Sequence, residues 1–384
     1  MTLPPTGLPL EGIRVIEFSH MVMGPSCGMI LADLGAEVIK VEPPEGDKTR
    51  QLPGLGCGFF RTFNRNKKSV VLDIDTPAGL ATAVDLIASA DVMIENFRPG
   101  RMIDLGLGYE ALSRRNPRLV YVSHKGFLPG PYEKRTALDE VVQMMGGLAY
   151  MTGPPGRPLR AGTSVNDIMG GMFGVIGILA ALRQREDTGR GQEIQSGLFE
   201  NCVFLCAQHM QQFAMTGVRP SPVPLRKSPF SVYDTFTLAG DEQLFIAAVS
   251  DRQWFNFCTV IQATDLARDE ALRTNTQRCS VRDTLIPALA ERLKDHKAGE
   301  LVVKLEKAGI PYAQVRSPDQ LFDDPHLRQS GALAAMETDR GETTEIPLLP
   351  MMMDGKRLGV RRKLPAIGEH TEEVLAALRR HEIA

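Results

Sequence analysis

The sequence predicts an α/β protein with a largely parallel sheet, followed by a smaller α+β domain. Three observations carry this. Compact apolar runs alternate with helix-like stretches from Gly12 to Ser123, the pattern of strands joined by crossover helices. A segment with three prolines in seven residues, Val218–Pro224 (VRPSPVP), then changes the character of the chain and reads as a linker. Beyond it, two apolar runs flank Ala-Gly-Asp-Glu at 239–242, the pattern of a β-hairpin.

Taken in order, Gly12–Ser19 (GIRVIEFS) is a strand, and Pro25–Gly35 (PSCGMILADLG) is a helix with proline at its start and glycine at its end. Glu37–Glu42 is a second strand. Pro77–Ala90 is a helix, Val92–Glu95 a strand, Tyr109–Arg115 a short helix and Leu119–Ser123 a strand. A glycine-rich stretch, Gly146–Gly162, interrupts the alternation. Helices Val165–Arg185 and Ser196–Met215 follow, separated by the polar turn DTGRGQE. After the linker come strands Phe230–Leu238 and Gln243–Val249, then helices Arg252–Ile261 and Val281–Ala308. A strand near Glu345–Leu349 and a helix Thr371–Arg380 complete the reading. The boundaries that result are 1–217, a linker at 218–229, a small domain at 230–325, and 326–384. No internal repeat is present.

Composition narrows the function. Apolar residues make up 43% and charged residues 23% of 384, with a net charge of −2. Nothing in this balance points to nucleic acid, and no charge block marks a disordered tail. The opening MTLPPTGLPLEG lacks the pattern of a secretory signal. The longest uncharged apolar run, Ile168–Leu182, has 15 residues, short for a bilayer and suited to a buried helix. The six cysteines form no CxxC pair, which disfavours zinc and redox chemistry; Cys202 and Cys206 read as core. The expectation is a cytoplasmic protein with no metal and no nucleic-acid or membrane partner.

The chemistry-bearing positions are few. The loop after the first strand (SHMVMGPSCG) holds Gly24 and Gly28 but no GxGxxG, so it serves either a tight turn or the approach of a ligand. There is no GxSxG elbow and no HExxH. His20, in that first loop, is the histidine best placed for chemistry. Asp167 stands out more, because it directly precedes the apolar helix in GTSVNDIMGGMFGVIGILAAL. Two readings stay open. It caps the helix, although Ser164 and Asn166 are alternative caps; or it is a nucleophile, kept ionised by the helix N-terminus when partly buried. Gly170, Gly171, Gly174 and Gly177 line that helix. Each costs about 1 kcal/mol against alanine, so another backbone or a ligand is expected close by.

The residues also carry a likeness. The stretches LPLEGIRVIEFSHMVMGPSCGMILADLGAEVIKVEPPEGD, FNRNKKSVVLDIDTPAG, ENFRPG, VSHKGF and SVNDIMGGMFGVIGILAALRQREDTGRGQEIQSGLFE together resemble the class III CoA-transferases, the group of formyl-CoA:oxalate and carnitine CoA-transferases. The resemblance implies a Rossmann-like large domain built from the first and last parts of the chain. It also implies a small middle domain and an interlocked homodimer. It makes Asp167 the nucleophile, supported by Asp139. It implies CoA or acyl contacts at His20, Met21, Val22, Arg50, Leu72, Asn96, Phe97, Arg98, Arg101 and Lys125. Coenzyme A and acyl-CoA then enter as substrates, with no permanently bound cofactor.

Two departures matter. Oxalate-type members carry glutamine where this chain has Val22, and a tetraglycine loop where this chain reads AAVSDRQWFNFC; oxalate is therefore a poor acceptor. The related α-methylacyl-CoA racemases carry a histidine where this chain has Leu138, and racemisation needs two acid/base groups. Racemase or epimerase activity is thus the weaker alternative, and a non-catalytic acyl-CoA-binding protein a third. The expected donor is succinyl-CoA and the expected acceptor a C4–C5 dicarboxylate such as mesaconate or itaconate. The cations His20, Arg50, Arg61 and Arg65 motivate this, and the competing reading gives those cations to CoA phosphates.

Overall fold

The computed structural model describes residues 7–225 and 229–382. The chain divides into two compact units. One runs to Pro224 and resumes at Pro325; the other is Leu225–Asp324.

The first unit is built on six parallel strands: β1 (Arg14–Phe18), β2 (Glu37–Glu42), β3 (Lys68–Val71), β4 (Val92–Glu95), β5 (Val120–Lys125) and β6 (Glu193–Gly197). Their spatial order is β3-β2-β1-β4-β5-β6. This is the doubly wound arrangement, in which the direction of winding reverses between β1 and β4 and leaves a crevice at the carboxyl ends of those strands. Between the strands run α1 (Met23–Asp33), α2 (Phe59–Phe63), α3 (Pro77–Ala88), α4 (Arg101–Asp104) and α5 (Tyr109–Arg115). Then come α6 (Asp139–Met145), α7 (Leu148–Thr152) and α8 (Val165–Thr188), and α9 (Leu198–Thr216) after β6.

Both faces of the sheet are covered, which is why β1, β2, β4 and β5 are apolar without clean alternation. On one face, Val15, Val38, Ile94 and Val122 pack against α1 and against Val175, Ile178 and Ala181 of α8. On the other, Ile16, Ile39, Met93 and Tyr121 meet Leu86 and Ile87 of α3 and Leu112 of α5.

α8 is longer than the sequence suggested. It spans 24 residues and is, among the described residues, long and apolar enough by length and composition to cross a membrane. Its glycines face inward. A Cβ on Gly171 would lie 2.0 Å from Ser26 Oγ and 2.8 Å from the Met23 carbonyl, and one on Gly174 would lie 2.6 Å from His124. The close approach at Gly171 and Gly174 is therefore that of α1 and β5, and at Gly177 that of Ile194 in β6.

The second unit pairs β7 (Val232–Thr237) with β8 (Gln243–Ala248), the hairpin read from the sequence, and adds β9 (Tyr312–Gln314) in an antiparallel sheet. Helices α10 (Asp251–Val260), α11 (Thr264–Arg268), α12 (Asn275–Ser280), α13 (Arg282–Leu293) and α14 (Ala298–Lys307) accompany it. Trp254, Phe257, Leu289 and Leu301 are fully buried at its core. The single helix expected over Val281–Ala308 is two. The polar residues Lys294–Lys297 break it, and the His296 carbonyl turns away to accept the Ala239 N–H at 3.1 Å.

After Pro325 the chain returns to the first unit with α15 (Pro325–Gln329), β10 (Leu333–Glu337), β11 (Thr343–Pro347) and α16 (Thr371–Glu382). The return is anchored at β3. Val71 N donates to Thr371 Oγ1 at 3.0 Å, His370 N donates to Ser69 O at 2.9 Å, and Lys68 pairs with Glu373 at 2.8 Å.

Candidate active site

The loop after β1 crosses the carboxyl end of the sheet, and two buried lysines hold it. Lys40, in the middle of β2, donates to Ser19 O at 2.5 Å and pairs with Asp47 at 2.9 Å. Lys67 donates to Pro25 O at 2.9 Å and pairs with Glu17 at 2.7 Å. Buried charges persist only when paired and hydrogen-bonded, and these are. Asn96 brackets His20, accepting its N–H at 3.0 Å and donating to its carbonyl at 2.7 Å. Met21 has φ of 63° and donates its N–H to Thr49 Oγ1 at 3.2 Å. A Cβ on Gly24 would lie 2.4 Å from Ser19 Cβ, so this glycine serves the tight packing of the loop. Sequence reasoning missed Lys40 and Lys67. The signal was a lysine inside an otherwise apolar strand (EVIKVE).

One cavity opens beside this loop and another at the ends of β4 and β5. The first, about 520 Å³, is lined by His20, Met21, Leu72, Phe97 and Arg101, with Lys40 and Lys48. The other, about 490 Å³, is lined by Arg98, Lys125, Glu95 and Tyr121. Both have the size of small-molecule sites. Val22 is buried below the loop. Lys125 pairs with Glu95 at 2.9 Å, and Glu95 also accepts the Phe97 N–H at 2.8 Å. Arg101 pairs with Asp75.

The cations expected to hold a second carboxylate are mostly engaged elsewhere. Arg50 is 5% exposed. It bonds Glu42 at 2.7 and 2.8 Å and Pro365 O at 3.0 Å, and stacks 3.7 Å over Phe60. Arg65 forms a buried pair with Asp33 at 2.6 Å. Arg61 is half-exposed, 3.9 Å from Glu342. Burial of Arg50 and Arg65 among carboxylates gives them structural work.

Asp139 and Asp167 come together at the start of α8. The cap of this helix is neither Asp167 nor Ser164. Asp139, the first residue of α6, accepts the N–H groups of Asn166 and Asp167 at 2.8 and 3.3 Å. Buried Gln143 donates to the other oxygen of Asp139 and accepts the Ala161 N–H at 2.7 Å. The glycine-rich loop, Asp139 and α8 are thus tied in one network. The Asp167 carboxyl itself accepts no hydrogen bond among the described residues. Burial pushes it up to about 7, the Asp139 charge adds to this, and Arg160 opposes it. Burial and a second carboxylate thus act against the helix N-terminus, which favours the ionised form. Asp167 lines neither cavity, but Gly170 and Gly171, one turn on, rest against Met23 and Ser26 just past the first loop.

A doubly wound sheet with ligand-sized crevices at its carboxyl edge is the architecture of an α/β enzyme. The chain belongs to CoA-transferase family III, whose sequence model matches residues 10–371, and it is an enzyme of the transferase class. It is 34% identical to a succinate–glutarate CoA-transferase of Agrobacterium fabrum, over 96% of this chain and 96% of that one. It is 37% identical to an acetyl-CoA:oxalate CoA-transferase of Acetobacter aceti, over 79% of each. Among solved structures it resembles a CAIB/BAIF family protein from Brucella suis, with a TM-score of 0.88 and 33% identity over 97% of this chain and all of that one.

Proposed function

We propose that this enzyme moves CoA from an acyl-CoA donor to a free carboxylic acid with Asp167 as covalent nucleophile. The observation that carries this is a carboxyl relieved of capping by Asp139 and left without a hydrogen bond at the mouth of α8. With its proton held up to about 7, the carboxyl is more basic than an ordinary one, and its ionised half is a correspondingly better nucleophile.

Asp167 attacks the thioester carbonyl. A C–O bond forms, the C–S bond breaks, and CoA leaves as thiolate from an aspartyl–acyl anhydride. The thiolate then attacks the aspartyl carbonyl, releasing the donor acid and leaving an aspartyl–CoA thioester. The acceptor carboxylate enters and the two steps reverse. The activation of the thioester is conserved throughout, so exclusion of water from the site is essential.

CoA is assigned to the crevice at His20, Met21, Leu72, Phe97 and Arg101. Asn96 and Val22 shape the loop, and Arg98 and Lys125 lie in the neighbouring cavity. Succinyl-CoA is the proposed donor and a C4–C5 dicarboxylate the proposed acceptor. The names of both relatives above, with glutarate and oxalate, support a dicarboxylate.

A homodimer is also proposed. Met172, Ile176 and Leu179 make an exposed stripe on α8, and Phe204, Met210 and Phe213 are exposed on α9, an apolar surface of the kind a second copy covers. Light scattering that returns a monomer at micromolar concentration removes it.

The test of the chemistry is Asp167→Ala. Transfer is lost while the fold is retained. Borohydride reduction followed by mass spectrometry marks Asp167 in the wild type only after acyl-CoA is added. Full activity in the variant refutes the mechanism. An acceptor screen with succinyl-CoA and acetyl-CoA identifies the acids, and exclusive use of monocarboxylates removes the dicarboxylate reading.

A further inference from the structure

A dicarboxylate needs a cation near the nucleophile, and the first candidates are taken. Arg50 and Arg65 are locked in buried ion pairs with Glu42 and Asp33. Arg160 is placed differently. It sits in the glycine-rich loop before α8, next to Ala161, whose N–H is fixed by Gln143. Gln143 in turn holds Asp139, and Asp139 caps the turn that carries Asp167. The position of Arg160 is therefore tied, through Ala161, Gln143 and Asp139, to the backbone that carries Asp167.

The guanidinium is partly open. Its Nε donates to Ala161 O at 3.0 Å, and one terminal nitrogen pairs with Glu140. The other terminal nitrogen makes no hydrogen bond among the described residues. The Arg160 and Glu140 side chains are 34% and 59% exposed, so this pair exchanges readily with an incoming anion. The Arg160 charge also opposes the rise of the Asp167 carboxyl.

We propose that Arg160 receives the distal carboxylate of a dicarboxylic acid while Asp167 reacts at the proximal end, and so sets the preference for dicarboxylates. The inference rests on the reading of Asp167 as nucleophile. A guanidinium grips a carboxylate through two parallel N–H groups. Here Glu140 acts as the resident stand-in, displaced when the substrate binds.

The test compares wild type with Arg160→Met, using acetyl-CoA as donor and two acceptors of equal length, glutarate and pentanoate. The ratio of kcat/KM for glutarate over pentanoate falls about 10- to 100-fold in the variant, the loss of one charge-assisted contact. Any change in the reactivity of Asp167 affects both acids and cancels in the ratio. A ratio within about threefold of wild type overturns the proposal. So does a rise in the KM for acetyl-CoA with both acids falling together, which assigns Arg160 to the CoA phosphates. Glu140→Gln lowers the KM for glutarate alone; a fall for both acids, or for neither, counts against Arg160. Labelling of Asp167 by acetyl-CoA in Arg160→Met separates the two readings. If labelling persists while the ratio is unchanged, only the specificity inference fails. If it is absent from wild type as well, the nucleophile fails and this inference with it.

Discussion

Replacing Asp167 by asparagine should stabilise the protein in neutral and alkaline solution while abolishing turnover. In the folded chain the carboxyl is raised from an ordinary 3.8 to about 7 by burial and by Asp139. Below pH 3.8 it is protonated in both folded and unfolded chains and contributes nothing. As pH rises toward 7, the unfolded chain releases the proton and the folded one retains it, so stability is progressively lost. Above 7 the loss is complete. Asparagine has the same shape and no proton to lose. About 3 units at 1.36 kcal/mol each set a ceiling near 4 kcal/mol. Partial contact with solvent and local relaxation bring this to roughly 1–3 kcal/mol, or about 1–4 °C in Tm for a chain of this size. Thermal melts of both proteins at pH 4, 6 and 8.5 measure it. The curves converge at pH 4 and separate at 8.5, with the asparagine variant higher. Parallel curves, or a variant less stable at pH 8.5, refute the account of a buried carboxyl strained by its neighbour.

Asp139→Ala removes both the cap and the repulsion. The fold weakens by about 0.5–2 kcal/mol, and the acid limb of the pH–rate profile moves to lower pH because Asp167 ionises more easily; an unmoved limb contradicts the coupling. Lys67→Met removes the nearer of the two buried counter-ions of Glu17 and leaves Lys40 at 3.5 Å, a cost below the roughly 3–5 kcal/mol of a fully unpaired buried charge, seen as a lower midpoint in urea. Gly171→Ala places a methyl 2.0 Å from Ser26 Oγ and forces α8 off α1, at about 1–3 kcal/mol; an unchanged Tm shows that the helices are not held that tightly.

Local patterns revealed the parts of the fold whose residues are of one kind. β1, β2, β4 and β5 were legible because they are apolar runs buried on both faces. β3 was not, because Lys68 opens it beside the buried Lys67. β6 was missed because Glu193, Gln195 and Ser196 make it polar, and the reading began a helix at Ser196 where α9 starts at Leu198. α7 was hidden by the glycines around it. At the site, an acidic residue ahead of an apolar helix singled out Asp167, and local pattern left both readings open with the cap slightly ahead. The cap supplied by Asp139 joins residues 28 apart, beyond the reach of local pattern. Arg50 and Arg65 looked available in sequence because the carboxylates that engage them come from elsewhere in the chain.

The anchoring of the returning segment on β3 has a consequence for biosynthesis. β3 is an edge strand, and the backbone groups of Ser69 and Val71 are satisfied by His370 and Thr371, about 300 residues further along. At about 5–20 residues per second, a ribosome needs roughly 15–60 s to supply them. Throughout that interval the nascent sheet carries an open border, the kind of surface on which chains stick to one another. The second unit, drawn from one continuous stretch, meets no such delay. Slow codons or chaperone contacts between the two halves of the large unit should therefore govern the yield of native protein more than any substitution in the small one.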